Sequence, residues 1–143
     1  MTTRIATLAA VLACIAPVAS AQNLGLDGKP VSPEAEMFGK ATAACALRQA
    51  SLLDDLKSDA RTIADAIEGA CAKYEGAFRD ATLAQCPPTL SISRCIDIDA
   101  QAWGEQRLQI VLQVRAWRAA HPGKTPPWAS AAAAAACPHP DAC

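Results

Sequence analysis

Histidine, glycine and aromatic residues are scarce in this sequence of 143 residues, and their scarcity excludes several classes of enzyme. The histidines are His121 and His139, and both lie beside prolines near the C-terminus. The sequence contains no Glu-x-x-His pair, no glycine-rich phosphate loop and no nucleophile-elbow sequence. Because many hydrolases, metalloenzymes and nucleotide-binding enzymes depend on such motifs, we expect a protein without enzymatic activity and without a cofactor.

An excess of charge of one sign is also lacking, because 13 lysines and arginines balance 14 acidic residues. Removal of an N-terminal segment that contains Arg4 leaves twelve basic and fourteen acidic side chains, a net charge of −2. This balance argues against a nucleic-acid partner. The apolar run Ile5–Ala16 is too short to span a bilayer, so we expect no transmembrane span in the mature chain.

Residues 1–21 have the organisation of a signal peptide. Arg4 is the positive start, an apolar run follows, and Ala19–Ala21 supply the small residues of a cleavage site. We therefore expect a mature chain that begins at Gln22 and is periplasmic or secreted. In an alternative interpretation, Val-Leu-Ala-Cys ending at Cys14 resembles a lipoprotein box, and Cys14 would carry a lipid anchor.

The stretch from Ser32 to Gln85 is typical of two antiparallel helices joined by a short turn. Ser32 is suited to cap the first helix and Pro33 to begin it, whereas Ser58 is predicted to cap the second. The apolar stripe of the first helix comprises Phe38, Ala41, Cys45, Leu52 and Leu56. The stripe of the second comprises Ala60, Ile63, Ile67, Ala70, Cys71, Tyr74, Phe78 and Ala81. The residues predicted to face solvent are Asp54, Asp55, Asp65, Glu68, Lys73, Glu75, Arg79 and Asp80.

Six cysteines follow the signal peptide, and six cysteines allow fifteen pairings. Cys45 and Cys71 lie at equal sequence distance from Ser58, so an antiparallel pair of helices places them at the same height. Small neighbouring residues permit the close approach that a disulfide needs, and this bond would contribute about 3 kcal/mol. Two reduced core cysteines are the alternative. The preferred pairings are Cys45–Cys71, Cys86–Cys95 and Cys137–Cys143.

The run from Cys45 through Leu53-Asp54, Asp59 and Ile63-Ala64 to Cys71 resembles small exported bacterial proteins of unknown function. These proteins carry one cysteine in each of two consecutive helices that form a hairpin. The resemblance covers about a quarter of the chain and implies a fold without implying an activity.

Cys86–Cys95 is predicted to be a loop, and Asp97 or Asp99 to cap a third helix that ends near Ala120. Its apolar stripe comprises Trp103, Ile110, Val114 and Trp117. Arg107, Arg115 and Arg118 form a row on a neighbouring face. We interpret this row as a solvated flank whose arginines meet hairpin acids, while an anionic ligand or a membrane surface is the alternative.

Flexible segments are predicted on both sides of the three-helix domain, which is predicted to span residues 32–120. Residues 22–31 form a glycine- and proline-containing leader, and residues 121–143 form a tail rich in proline and alanine. The tail ends with Cys137, His139 and Cys143, which a soft metal could use as ligands. Their spacing matches no established zinc pattern, so a disulfide is the preferred interpretation.

These observations predict an all-α protein: a disulfide-stapled antiparallel helical hairpin plus a third helix. The expected function is that of an exported, non-enzymatic binding or envelope-interaction module, whose partner is an unidentified envelope or extracellular protein. The alternative is a periplasmic metal-handling or redox protein that uses Cys137, His139 and Cys143.

Overall fold

The structure, a computed structural model, describes residues 29–129 and contains three α-helices in that range. α1 spans Pro33–Leu53, α2 spans Ala60–Leu83 and α3 spans Ile92–Ala120, and a 3₁₀ turn follows at Pro127–Ala129. α2 runs antiparallel to α1 and α3, and all three helices pack together. The predicted all-α fold, a hairpin with a third helix, is confirmed. Within these residues, no helix is long and apolar enough to cross a bilayer.

Several predictions concern residues 1–28 and 130–143, which lie outside the described residues. They are the signal peptide, the lipid anchor at Cys14, most of the leader, the Cys137–Cys143 pairing and the metal ligands of the tail.

α1 begins as predicted, but a different face of the helix is buried. Ser32 is the N-cap, and its Oγ accepts a hydrogen bond of 3.1 Å from the amide of Ala35. The buried residues are small ones: Ala35, Gly39, Ala41, Thr42, Ala46, Ala50 and Ser51. The prediction that Leu52 and Leu56 are buried is wrong, because both are exposed.

Close approach of α1 and α2 explains why small residues form this face. The Cys45–Cys71 disulfide joins the two helices with Cα atoms 6.0 Å apart, within the range that a disulfide needs. At Gly39 an added Cβ would lie 3.1 Å from a ring carbon of Phe78. At Gly39, any larger residue would therefore press on the Phe78 ring.

The turn between α1 and α2 is built on aspartates. Asp59, and not Ser58, caps α2, since its Oδ2 accepts a hydrogen bond of 2.9 Å from the amide of Arg61. The Asp55 carboxylate accepts from the amides of Ser58 and Lys57 at 2.7 and 2.9 Å. The hydrogen bond from the Ser58 amide has the larger effect, and both bonds lower the pKa of Asp55 below its ordinary value.

α2 buries Ile63, Ile67 and Cys71 as predicted, but two residues depart from the prediction. Ala70 belongs to the predicted stripe and is exposed, whereas Glu75 was predicted to face solvent and is buried. The first prediction is wrong because Ala70 lies at the rim of the contact with α1: its carbonyl is 4.0 Å from Cys45 Sγ, yet the residue is exposed. The second is wrong because Glu75 has a cationic partner on α3.

α3 begins earlier than the sequence indicates. Ser91 is its N-cap and accepts a hydrogen bond of 3.2 Å from the amide of Arg94, so capping by Asp97 or Asp99 is wrong. The disulfide Cys86–Cys95 joins the preceding loop to the first turn of α3, with Cα atoms 6.2 Å apart. The end of α3 at Ala120 agrees with the prediction.

The core lies where α3 crosses the hairpin. Ile67 of α2 packs with Val111 and Val114 of α3, and these three side chains are fully buried. Trp103 is also buried, and its ring meets Phe78 edge-to-face at a centroid distance of 5.3 Å. Trp117 is only half-buried, because it lies near the end of α3.

Candidate functional site

Arg107, the first member of the arginine row, is buried between α2 and α3. Its Nη1 donates to Glu75 Oε2 and its Nη2 to Glu68 Oε2, each at 2.7 Å. Arg107 is 6% exposed and Glu75 is 3% exposed, while the Glu68 side chain reaches solvent. Within the described part of the chain, Glu75 Oε1 and Arg107 Nε have no hydrogen-bond partner. The pair is therefore a buried ion pair of the helix contact.

Arg115 and Arg118 connect α3 to the end of α1. Arg115 donates two hydrogen bonds to Asp54 Oδ1, at 2.7 and 3.1 Å, and a third to the Ser58 carbonyl. Arg118 donates to the carbonyl of Ser51 in the last turn of α1 and to the carbonyl of the C-cap residue Asp54, at the helix end where carbonyls lack intrahelical donors. The hydrogen bonds to Asp54 raise the pKa of Arg115 above its ordinary value.

The arginine row therefore meets acids of the hairpin, as the preferred interpretation predicts. Its description as a solvated flank is wrong for Arg107, which is buried, and Arg115 and Arg118 are half-buried. Asp54, interpreted as a solvated turn residue, is buried as well. The guanidinium groups act as donors inside the fold, which weakens the alternative of an anionic ligand or a membrane surface.

A further ion pair joins Arg79 of α2 to Asp99 of α3, with Nε and Oδ2 3.3 Å apart. Asp99 is buried and Arg79 is half-buried. Burial raises the pKa of Asp99 above its ordinary value, and the nearby guanidinium opposes this shift only in part. Asp99 thus belongs to the polar seam between α2 and α3.

An aromatic cluster closes the end of the bundle where α3 finishes. His121 stacks on Trp117 with ring centroids 4.4 Å apart, and Trp128 meets Trp117 edge-to-face at 5.7 Å. Trp128 Nε1 also donates to Ser51 Oγ at 2.9 Å, which joins this segment to α1. Packing in the chain thus continues past residue 120 to Trp128.

The tip of the hairpin exposes three leucines, which we call the leucine tip: Leu52, Leu53 and Leu56. Their exposed fractions are 63%, 40% and 58%. Leu56 has a φ of 61°, in the left-handed region that a branched, bulky side chain disfavours. Its amide donates to Asp54 Oδ1 at 3.2 Å, so the same carboxylate that binds Arg115 also holds this backbone.

No match to this chain was found among family models, curated proteins or solved structures. The choice among functions therefore rests on the surfaces and side-chain clusters of the molecule itself.

The metal-handling alternative depends on Cys137, His139 and Cys143, which lie outside the described residues. Between residues 29 and 129, no group of three or more His, Cys, Asp or Glu side chains is arranged to hold a metal ion. The four cysteines in that range, Cys45, Cys71, Cys86 and Cys95, form the two disulfides.

Sequence reasoning missed Asp54, Glu75 and Arg107 as members of buried ion pairs. A signal was present for Glu75 and for Arg107. Glu75 lies four residues after the buried Cys71, and Arg107 lies four residues after the buried Trp103. Charged residues at core positions of a helix indicate buried, paired charges.

Proposed function

We propose that this protein is an exported, non-enzymatic module that binds another protein of the cell envelope through the leucine tip. The observation that carries the proposal is the exposure of Leu52, Leu53 and Leu56 together on one end of a disulfide-stapled hairpin. Clustered exposed apolar side chains mark interaction surfaces more often than scattered ones do.

The backbone at Leu56 supports this assignment. A left-handed conformation costs a bulky residue about 1–2 kcal/mol, and glycine or asparagine adopts it at lower cost. A leucine that is exposed at such a position contributes little to the core. A contact outside the chain is a physical reason for a leucine there.

The charges around the tip favour a protein partner over a lipid surface. Asp55 and Asp59 are exposed beside the leucines, with Lys57 between them in sequence. Surfaces that bind anionic lipids carry an excess of lysine and arginine, which this turn does not have. A partner with an apolar patch and a mixed polar rim fits these charges better.

Two features are compatible with an oxidising location outside the cytoplasm. The described residues contain two disulfides, which form and persist in such compartments. The N-terminal sequence has the organisation of a signal peptide. The proposal that the protein is exported therefore rests on the two disulfides and on the sequence of residues 1–21.

The test is photo-crosslinking in intact cells that export the full-length chain. A photoreactive residue is placed at Leu53, and the matched control carries it at Leu112, an exposed leucine on α3. We expect a protein adduct of defined mass at Leu53 that a Leu56→Asp substitution abolishes, and no such adduct at Leu112. Lipid adducts, equal adducts at both positions, or no adduct at Leu53 would contradict the proposal.

A further inference from the structure

Asp54 connects the backbone of the leucine tip to α3. Its side chain is buried at the end of α1, and its Oδ1 accepts hydrogen bonds from two parts of the chain. One comes from the amide of Leu56 at 3.2 Å, and two come from Arg115, at 2.7 Å from Nη2 and 3.1 Å from Nε. A single carboxylate oxygen therefore lies between the tip and a guanidinium group that is 61 residues beyond Asp54 in sequence.

Arg115 also contacts the far side of the same turn. Its Nη2 donates to the Ser58 carbonyl at 2.7 Å. The guanidinium thus binds the chain two residues before Leu56 and two residues after it. Because the donors of arginine lie in a rigid planar fork, these contacts fix Asp54 and Ser58 relative to each other. Leu56 lies between these two fixed points.

Leu56 is the residue of the tip whose backbone needs such support. Its φ of 61° is unfavourable for leucine, and an unfavourable backbone conformation persists only where surrounding contacts determine it. The side chain of Leu56 contributes little to these contacts, because it is exposed. The support therefore acts on the backbone, where the Leu56 amide binds the Asp54 carboxylate.

The second half of the turn is stabilised by local contacts. The Asp55 carboxylate accepts hydrogen bonds from the amides of Lys57 and Ser58, and Asp59 caps α2. Each of these contacts spans no more than three residues, so none of them depends on α3. The turn meets α3 at Asp54 and at the Ser58 carbonyl.

The other two leucines of the tip lie in the last turn of α1, and this turn is also bound from α3. Arg118 donates to the carbonyls of Ser51 and Asp54. Ser51 Oγ accepts a hydrogen bond of 2.9 Å from Trp128 Nε1. The backbone that carries all three leucines is therefore held by side chains from the end of α3 and from the segment that follows it.

We propose that Arg115 is a positioning residue of the leucine tip: through Asp54 it keeps Leu56 in the left-handed conformation, so that partner binding at the tip and docking of α3 stabilise each other. The effect on partner binding rests on the proposed function, whereas the effect on Leu56 does not. A partner that binds the native shape of the tip also favours the contacts that maintain this shape, because coupling between two sites is reciprocal.

The effect on Leu56 is tested by backbone NMR on residues 22–143 with both disulfides oxidised. A positive φ brings the amide hydrogen and the Hα of one residue close together, so Leu56 should show a strong nuclear Overhauser effect between them. We expect Arg115→Met to weaken this effect to the level of Leu53, a residue of α1. The side-chain resonances of Trp103 report whether the core stays folded.

The matched control is Arg79→Met, because Arg79 is also a half-buried arginine that pairs with a buried aspartate, Asp99. Arg79 lies 19 residues after Ala60, the first residue of α2, which is roughly 28 Å along the helix. This variant should keep the strong Leu56 effect. An equal loss in both variants would overturn the proposal, because it would report a general loosening of the bundle.

A second variant keeps the test valid if Arg115→Met does not fold, since that change leaves Asp54 as a buried anion. Arg115→Met/Asp54→Asn removes this charge and retains an acceptor for the Leu56 amide, without the guanidinium that orients it. We expect the strong Leu56 effect to be lost here as well. Its retention in either folded variant would overturn the proposal.

The effect on partner binding is tested with the photoreactive residue at Leu53 in intact cells. At equal amounts of exported chain, Arg115→Met should lower the yield of the protein adduct at least about fivefold, and Arg79→Met should leave it unchanged. An unchanged yield in Arg115→Met would overturn the coupling but not the proposed function. Absence of the adduct in the unmodified chain would overturn the proposed function and the coupling together, and the NMR experiment would still decide the role of Arg115 at Leu56.

Discussion

Replacement of Arg107 by methionine should destabilise the protein strongly, because Arg107 neutralises a carboxylate that has little access to water. Nη1 of Arg107 lies 2.7 Å from Glu75 Oε2, and both residues are buried. Methionine keeps much of the apolar stem but removes the charge. Glu75 would then remain among apolar groups of α2 and α3 as an unpaired anion.

The magnitude follows from the different burial of the two carboxylates. Removing one partner of a buried ion pair typically costs about 3–5 kcal/mol, and most of this cost comes from the partner charge that remains buried without compensation. Glu68 also loses its partner, but its exposed side chain can turn to water at a cost below about 1 kcal/mol. We therefore expect a loss of about 3–5 kcal/mol in the free energy of unfolding.

The assay is urea unfolding at pH 7 with both disulfides oxidised, followed by circular dichroism. The single variant Glu68→Gln is the matched control and should lose less than about 1 kcal/mol. The double variant Arg107→Met/Glu75→Met removes both charges and should recover most of the loss. A loss below about 1 kcal/mol for Arg107→Met, or a double variant no more stable than the single one, would refute this reasoning.

Three further predictions concern other parts of the molecule. Burial raises the folded-state pKa of Asp99 above its ordinary value of 3.8, so ionisation of Asp99 lowers stability as the pH rises through this window. Asp99→Asn should therefore gain stability relative to the native chain in thermal unfolding as the pH rises above 3.8, whereas a difference that does not change with pH would contradict the direction of the pKa shift. Cys45→Ala/Cys71→Ala opens a loop of 26 residues and should lower the free energy of unfolding by about 3.5 kcal/mol in urea. An unchanged free energy of unfolding would show that the disulfide does not stabilise the fold. Leu56→Gly relieves the left-handed backbone but makes the unfolded chain more flexible, so its stability should stay within about 1 kcal/mol of the native chain; a loss above about 2 kcal/mol would place Leu56 in the core.

Local signals in the sequence were sufficient for the fold and for the disulfide of the hairpin. Ser32 and Pro33 mark the start of α1 because capping depends on residues next to each other in sequence. The position of Cys45 opposite Cys71 follows from counting outward from a short turn. Features that depend on near neighbours, or on the symmetry of a hairpin, are predictable in this way.

The buried face of α1 and the paired acids were not predictable to the same degree. Leu52 was assigned to the core because leucine is apolar, but the closely packed hairpin accepts alanine and glycine at its contact. Glu75 was assigned to solvent because it is charged, and its partner on α3 is 32 residues away. Such pairings depend on the register of helices, which a single sequence does not show.

The contacts that complete the C-terminal end of α1 come from far along the chain, and this bears on the order of folding. Arg118 is 67 residues from Ser51 and 64 from Asp54, whereas 26 residues separate Cys45 from Cys71. During folding, contacts that close long loops form late, because closing a loop costs entropy before the new contacts contribute any stability. We therefore expect the hairpin to form first and the last turn of α1 to fray until α3 docks. Amide exchange in that turn would then report the docking of α3 and not the stability of α1 itself.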